Sequence, residues 1–420
     1  MKRLLIITHV FPPAPSPGAL RPGYLARYLP QFGWEATVLT ATSEAPPFPA
    51  QVLHVNAEQP SLQTRLRNRF SAQHPASPLR SLLRAAKETL FFPDMTAPWM
   101  APGIAAGAQA LRSEHFDAVL STAHPASAHV IAWILARRFS LPWIADYRDP
   151  WAGNRYLRRG PVRGLLERLL ERGMLRRARA ITTISHPIAE QLARFHRRGD
   201  IHVIPNAYDP SDWNGVPEVK PARFELVFTG SMYDGKRSPD LLFAAIAQLR
   251  AEGNPAGDVR VHFYGKNSEN VIPAASRYGV NLLVRQHGEV PRLQAMRAQR
   301  GSAALLIFLN IDPATGTEMG SKYLEYLGAH RPIMAFGPSN SAMRTFLSES
   351  RLGWFASNVD EARDAVCAAH AHFQSGAWQA GAVPRSVPSA TELAANFAYV
   401  LDAACGFKAP SNTIGATGIG

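Results

Sequence analysis

Thr315-Gly316-Thr317-Glu318-Met319-Gly320-Ser321-Lys322-Tyr323-Leu324-Glu325-Tyr326-Leu327-Gly328-Ala329-His330-Arg331-Pro332 stands between two apolar runs, Ala303 to Leu309 and Ile333 to Phe336. It reads as a glycine-bearing loop that becomes a helix at about Ser321 and stops before Pro332, since proline cannot continue a helix. Strand, loop, helix, strand is the repeating unit of an open parallel sheet.

Working outward, the same alternation fills the chain. In the first half the spacing predicts strands at Leu4 to Thr8, Ala36 to Thr40, Gln51 to Val55, Ala118 to Ser121, Trp143 to Ala145, Ala180 to Ile184 and Ile201 to Ile204, with helices over Gly18 to Phe32 and Ala126 to Phe139. Short, continuously apolar strands are what buried parallel sheets require. Residues 56 to 100 are rich in Pro, Ser and Arg and read as a surface excursion with one helix near Pro78 to Leu90. Three prolines and little periodicity mark Asn206 to Ala222 as the interdomain stretch. Beyond it strands are expected at Glu225 to Thr229, Val259 to Tyr264, Asn281 to Val284, Ala303 to Leu309, Ile333 to Phe336 and Gly353 to Phe355. The fold class is therefore α/β: two doubly wound parallel-sheet domains facing across a cleft. Residues 1–208 form the first, 209–222 the linker and 223–388 the second; 389–405 form a helix crossing back to the first domain, and 406–420 a disordered Gly/Ser/Thr-rich tail.

A chain of 420 residues exceeds one ordinary core and fits two. No apolar run approaches the roughly 18 residues that span a bilayer. Met1-Lys2-Arg3-Leu4-Leu5-Ile6-Ile7-Thr8 reads as a first strand, not as a signal peptide. The cysteines, Cys367 and Cys405, are too few for a disulfide framework or a Cys-rich zinc site, so a cytoplasmic enzyme is expected. Forty-five Lys and Arg against 32 Asp and Glu give a net charge of +13, which points to an anionic partner. No recognised nucleic-acid module accompanies that charge, so nucleic acid is not the expected partner.

The Ser321 helix start offers unpaired N–H groups and a partial positive charge to an anion. Lys322, a cation in the first turn, is out of place there unless it faces that anion. Glu325 lies one turn on, on the same face. A carboxylate so placed can accept two hydrogen bonds from a vicinal diol such as ribose, while Lys322 and the N–H groups take phosphate. The alternative is a Lys/Glu pair on a solvated face.

Ligands of open α/β sheets bind beyond the carboxyl ends of strands, so the loops there come next. The first runs from Thr8 through four prolines to Gly18 and Arg21, with Gly18 able to bring backbone close to a ligand; a merely stiff connection is the other reading. His124, in Ser121-Thr122-Ala123-His124-Pro125, is a candidate acid/base or hydrogen-bond donor, or a loop residue making a local bond. Asp146-Tyr147-Arg148-Asp149-Pro150-Trp151 places three charges directly after an apolar strand, which a plain turn does not need. Gly230, Ser231, Gly235, Lys236 and Arg237 make a glycine-and-cation loop suited to phosphate without Walker spacing, or a flexible basic loop. Gly265, in Tyr264-Gly265-Lys266, could border a base or ribose.

Residues 155 to 179 differ in kind. Val162, Leu165, Leu166, Leu169, Leu170 and Met174 form an apolar stripe among many arginines, the profile of a helix on an anionic membrane surface or of a core helix with a basic back. Asp-x-Asp, His-x-x-x-His, Gly-x-Gly-x-x-Gly after the first strand and a Walker motif are all missing from the sequence. Metal and cofactor are therefore not expected, and Lys, Arg and helix dipoles are left to stabilise a leaving group.

Taken in order, Ile6-Ile7-Thr8-His9-Val10-Phe11-Pro12-Pro13 with Gly18 and Arg21, Arg27-Tyr28-Leu29, Gly33-Trp34-Glu35, Asp146 to Trp151, Ile184-Ser185, Ile204-Pro205-Asn206, Thr229-Gly230-Ser231 and Ser321 to Leu327 resemble the GT-B retaining glycosyltransferases of family 4, especially bacterial enzymes that build cell-surface glycans. The resemblance implies that Glu325 is the ribose-binding second glutamate of that family's E-x7-E signature. Glu318 would be the first, contacting the donor sugar, although six residues separate the two here instead of seven. It places Lys236 or Arg237 on the diphosphate, with Ser231 or Met232 where the family has an arginine. Gly18 falls in the loop near donor phosphate and acceptor, and Arg21, His124, Asp146, Arg148 and Asp149 on the acceptor side.

The function expected is transfer of a sugar from a nucleotide diphosphate sugar to a hydroxyl acceptor (a glycan, a lipid-linked or a small molecule) with retention. Glu318, Lys322, Lys236 and His124 are the catalytic candidates, and Gly18, Gly230, Ser231, Lys236, Arg237, Gly265, Gly320, Ser321, Lys322 and Glu325 the donor-binding ones. The expected location is cytoplasmic, extending to the inner face of the cell membrane through 155–179. The alternatives are a nucleotide-sugar epimerase of the same fold and a non-catalytic nucleotide- or glycan-binding relative.

Overall fold

The structure, a computed structural model, describes residues 1–14, 16–55, 91–154, 160–232, 236–266, 269–310 and 319–407. Glu318, the helix expected near Pro78 to Leu90, the first residues of the basic stretch (155–159) and the tail from 408 onward lie outside the described residues. The chain divides into two compact units, Met1–Ala207 with Pro388–Gly420, and Tyr208–Val387.

In the first unit β1 (Lys2–Ile7), β2 (Trp34–Thr40), β3 (Gln51–His54), β4 (Ala118–Ala123), β5 (Trp143–Tyr147), β6 (Ala180–Thr183) and β7 (Ile201–Val203) form a seven-stranded sheet in the order β3-β2-β1-β4-β5-β6-β7. Every neighbouring pair is parallel. The connecting helices are α1 (Pro17–Tyr28), α2 (Met100–Ser113), α3 (Ser127–Phe139), α4 (Pro161–Leu175) and α5 (His186–His196). Burial on both faces explains the uninterrupted apolar run of β1: Leu5 and Ile7 meet Leu39, Ile131 and Leu135 on one side, while Leu4 and Ile6 meet Leu25 and Val38 on the other.

The second unit repeats the plan. Its strands β8 (Glu225–Thr229), β9 (Arg260–Tyr264), β10 (Val284–Gly288), β11 (Ala304–Phe308), β12 (Ile333–Phe336) and β13 (Gly353–Ala356) are ordered β10-β9-β8-β11-β12-β13, all parallel. Helices α6 (Asp240–Ala251), α7 (Val271–Arg277), α8 (Arg292–Gly301), α9 (Lys322–Ala329), α10 (Ala342–Ser350) and α11 (Val359–Gln374) join them. Phe228, Phe263, Phe308 and Phe336, from four adjacent strands, pack ring on ring with centroids 5.3 to 5.9 Å apart. They make a rigid floor near the carboxyl ends of β8, β9, β11 and β12.

Helix α12 (Ala390–Cys405) belongs to the first unit. A capping box between Ser389 and Glu392 starts it, and Gly406 in the left-handed region ends it. Leu393, Phe397 and Leu401 are fully buried against Leu4 and Leu25, worth about 1.5–3 kcal/mol each as an upper bound. Asp402 accepts a hydrogen bond from Trp34 Nε1 at 2.9 Å and pairs with Lys2, tying the helix to β1 and β2. Phe407 packs edge-on against Trp34, so the described start of the tail is part of the fold.

Two readings need correcting. Asn281 to Leu283 is a turn of 3-10 helix with Leu282 93% exposed, and the strand is Val284–Gly288, an edge strand whose Arg285, Gln286 and His287 face solvent. Residues read as a linker pack closely: Trp213 and Val216 are buried in the second unit's core, and Arg300 lies over the Trp213 ring at 4.7 Å.

Candidate active site

Each sheet has a topological switch point, where successive crossovers leave in opposite directions and the loops part to leave room for a ligand. In the second unit it lies between β8 and β11. The loop after β8 carries Gly230 and Ser231, and the segment after β11 leads into α9 with Lys322 and Glu325.

The structure brings these residues together. Lys322 Cε lies 3.7 Å from where a side chain on Gly230 would begin, so the lysine stem covers the glycine. Lys322 Nζ donates to Glu325 Oε2 at 3.3 Å. Gln299 on α8, which the sequence reading did not single out, donates from Nε2 to Glu325 Oε1 at 2.5 Å and to Thr229 Oγ1 at 2.8 Å. Tyr326, buried, anchors the same turn: its hydroxyl accepts from Thr229 N at 3.0 Å and donates to Leu306 O at 3.2 Å, which fixes α9 against β8 and β11. Burial works to raise the Glu325 carboxyl, but Lys322, the Gln299 amide and Arg292 outweigh it and hold the group below its ordinary value. It is thus an anion with one oxygen on an amide and the other on an ammonium, each keeping acceptor capacity.

Backbone approach at the neighbouring loop explains two glycines. Gly265 (φ 127°) packs so tightly on Gly230 (φ 147°) that a Cβ on Gly265 would stand 1.9 Å from Gly230 O. Gly230 N donates to Tyr264 O at 2.8 Å and Gly265 N to Gly288 O at 2.7 Å, so three loop starts are sewn into one shelf. Arg237 Nη1 donates to Ser231 O at 3.1 Å, folding the cationic end of the loop back on its beginning. Lys236 is exposed, Gly320 and Ser321 lie at the exposed start of α9, and Ser321 makes no side-chain cap bond.

The first unit's switch point lies between β1 and β4. Arg148 bridges loops there: Nε donates to Ala123 O and Nη2 to His124 O, both at 2.8 Å. Its guanidinium rests on Gly18, where a Cβ would meet Nη1 at 2.5 Å, so a side chain there would push the guanidinium off its place. Burial is the main influence lowering the His124 pKa, against the opposing pull of Asp149, and its Nε2 is buried without a hydrogen-bond partner. Asp149 itself is exposed. Burial likewise lowers the pKa of His9, whose ring stands edge-on to Trp99; Asp94 acts on both histidines and also accepts from Ser127 N at 2.9 Å and Ser127 Oγ at 2.8 Å.

Arg21 and Asp146 are corrected from ligand-facing to internal. Arg21 Nε and Nη2 form a fork on the two Asp146 oxygens at 2.9 Å, and Thr122 and Thr182 donate to the same carboxylate at 2.8 and 2.7 Å. Arg21 Nη1 donates to Pro205 O at 3.1 Å, and the guanidinium lies 4.8 Å over the Phe397 ring. Both side chains are buried and engaged, so the pair braces α1, β4, β5, β6 and α12 instead of presenting charge to an acceptor.

Residues 23–212 match the family model described as Glycosyltransferase Family 4. No curated protein sequence matches the chain. Among solved structures, the chain is similar to HepE from Anabaena in complex with UDP and glucose (TM-score 0.60, 13% identity, covering 96% of this chain and 100% of that one). It is similar to the lipopolysaccharide outer core galactosyltransferase WaaB in its apo form (0.53, 13%, 96% and 99%). A putative UDP-N-acetylglucosamine 2-epimerase from Listeria monocytogenes is also similar (0.58, 12%, 99% and 100%). At such identities the likeness speaks for the fold, two parallel-sheet units of GT-B type, and the family match is confined to residues 23–212. The chain has the GT-B fold, and its residues 23–212 are similar to Glycosyltransferase Family 4.

Proposed function

We propose that this glycosyltransferase moves a sugar from a nucleotide diphosphate sugar to a hydroxyl acceptor with retention, in the assembly of a cell-surface polysaccharide or glycolipid. One observation carries the reading: Lys322, Glu325 and the Gly230 backbone converge at the switch point of the second sheet, a cation and an anion placed for the two halves of one nucleotide. Glu325 takes the ribose hydroxyls, and Lys322 with Lys236 and Arg237 the diphosphate. Positive charge fixed in place before the bond breaks stabilises the pyrophosphate as it leaves, which is where catalysis needs the most help. The departing phosphate then helps to deprotonate the acceptor, so no protein nucleophile is required. His124 Nε2, shielded and unpartnered, offers the acceptor side a hydrogen bond.

HepE structures hold UDP or UDP-glucose, which makes UDP-sugars the first donors to try. No metal is assigned a role; transfer that survives EDTA supports this, and transfer restored only by a divalent cation refutes it. The decisive test incubates the protein with a panel of UDP-, GDP- and dTDP-sugars and follows the anomeric signal of any product by NMR. A product of inverted configuration rejects retention, and nucleotide binding without consumption of any donor rejects catalysis. The likeness to the 2-epimerase structure favours a second reading, in which donor alone yields an epimer.

A further inference from the structure

Helix α4 is folded inside out. Its buried face carries two carboxylates, Glu167 at 0% and Glu171 at 1% exposure, whereas Val162, Leu165, Leu166 and Leu169 stand 72, 57, 51 and 60% exposed. These four recur, with Gly173, at the spacing of a single helical face. The inversion is held by specific bonds: Arg163 Nε donates to Glu167 Oε1 at 2.8 Å and its Nη2 to Pro93 O at 2.7 Å, and Ala152 N donates to Glu171 Oε2 at 3.2 Å. Rolling the helix to hide its leucines would break these and strand two acids. The apolar face is therefore presented outward.

That face runs toward a cavity of about 710 Å³ whose walls include Trp133, Arg137, Trp143, Gly173, Arg176 and Arg177. Among the described residues none of the three guanidinium groups has a side-chain hydrogen bond or ion pair, and the Trp133 indole N–H is buried without a partner. Trp143 opens β5, and Arg176 and Arg177 lie between α4 and β6, so the cavity sits at the amino edge of the sheet, opposite His124 and Arg148. It is not part of the candidate active site. Arg168 and Arg172 add exposed charge along the helix. Among the described residues no helix is long and apolar enough to cross a membrane.

We propose that α4 and this cavity form a docking face for an anionic phospholipid bilayer, the leucines entering the acyl boundary while Arg137, Arg176, Arg177 and the Trp133 N–H receive headgroup phosphates. Complementarity selects this occupant: only an anionic lipid surface offers apolar chains and a dense array of phosphates side by side. Nucleic acid would use the arginines and leave the leucines in water. The proposal deepens the surface-glycan reading by naming where the chain meets the membrane, and its test does not depend on sugar transfer.

The test is co-sedimentation of the full chain with phosphatidylcholine vesicles and with vesicles containing phosphatidylglycerol. Binding is expected to the second only. Leu165→Asp with Leu169→Asp should weaken it at least tenfold, both side chains being exposed and dispensable for the core. Arg137→Ala, Arg176→Ala and Arg177→Ala together should weaken it roughly 100-fold at low salt. The charge-matched variant Arg250→Ala, Arg285→Ala, Arg385→Ala, altered on the other unit, should weaken it far less. Equal losses in the two triple variants would reduce the cavity to bulk charge and overturn the proposal. So would undiminished binding by the leucine variant, binding to neutral vesicles, or binding to a short single-stranded RNA but to no vesicle. Nucleotide-induced thermal shifts measured on the same variants should be unchanged, separating failure here from failure of the donor site.

Discussion

Glu325→Ala tests the proposed donor site most directly. In the folded chain the carboxylate accepts from Gln299 at 2.5 Å and from Lys322 at 3.3 Å, with a side chain 20% exposed. If it also accepts the two hydroxyls of a ribose, its removal forfeits two charge-assisted hydrogen bonds, about 3 kcal/mol at the low end of their range. A nucleoside diphosphate should then bind roughly 100-fold more weakly. The same change releases Lys322 and leaves the Gln299 amide with Thr229, so it should also lower stability, by about 1–2 kcal/mol and therefore a few degrees in Tm. The two effects separate cleanly in calorimetric titration with UDP at a temperature where circular dichroism shows the variant folded. Glu325→Gln, which keeps size and one acceptor, should fall between variant and parent. A UDP dissociation constant within threefold of the parent, in a folded Glu325→Ala protein, would remove this carboxylate from nucleotide recognition and with it the assignment of α9.

Other outcomes follow from the same geometry. Gly265→Ala drives a methyl into the Gly230 carbonyl and should abolish nucleotide binding while the first unit's hydrogen-exchange protection is unchanged; retained binding would refute the shelf described above. A Cβ at Gly328 would stand 2.0 Å from Trp213 Nε1, so Gly328→Ala should cost about 1–3 kcal/mol, read as a lower urea midpoint for the second unit. Burial above all, against the hydrogen bond from Ala152 N, raises Glu171 from 4.5 to about 7. The fold therefore keeps a proton that the unfolded chain has lost between those values, stability falls by about 3 kcal/mol as pH rises from 4.5 to 7, and Glu171→Gln should flatten that slope in urea titrations. Burial likewise holds His129 down at about 3, so the unfolded chain binds a proton first and stability is lost as pH falls from 6.5; His129→Gln should soften acid unfolding.

How legible each part was depended on whether its partners were local. Leu4 to Ile7 and Leu305 to Phe308 announced themselves because a parallel strand buried on both faces must be apolar throughout. Strand β10 did not, because an edge strand exposes its polar side chains and the apolar signal sat one turn early, on Leu282. Helix α2 drew no assignment from the sequence: Gly103 and Gly107 interrupt its apolar pattern, and they are small because Ile131 and Leu135 of α3 press against them, at 3.0 and 2.4 Å from the position of a Cβ. Lys322 and Glu325 could be paired from spacing alone, since one helix turn brings them together. Gln299 could not, because its value arises only when α8 and α9 both flank β11. Arg21 and Asp146 misled for the opposite reason: charges near strand ends look ligand-facing until the fold closes a separation of 125 positions and places one on the other.

Helix α4 shows how far pattern alone can take such a reading. From the sequence, Val162, Leu165, Leu166, Leu169, Leu170 and Met174 form one stripe that fits either a core or a membrane. The fold splits the stripe: Met174 goes inside with Glu167 and Glu171, and the four residues nearest the N-terminus stay out. Four aliphatic side chains, each more than half exposed, forgo about 1–2 kcal/mol each of burial that an ordinary core helix would collect. A helix packed for stability alone would place its acids in water and its leucines inside. Because the acids are bonded where they are, the apolar face stays outward among the described residues, and the arginines at its end are what make an apolar and anionic surface the occupant proposed for it.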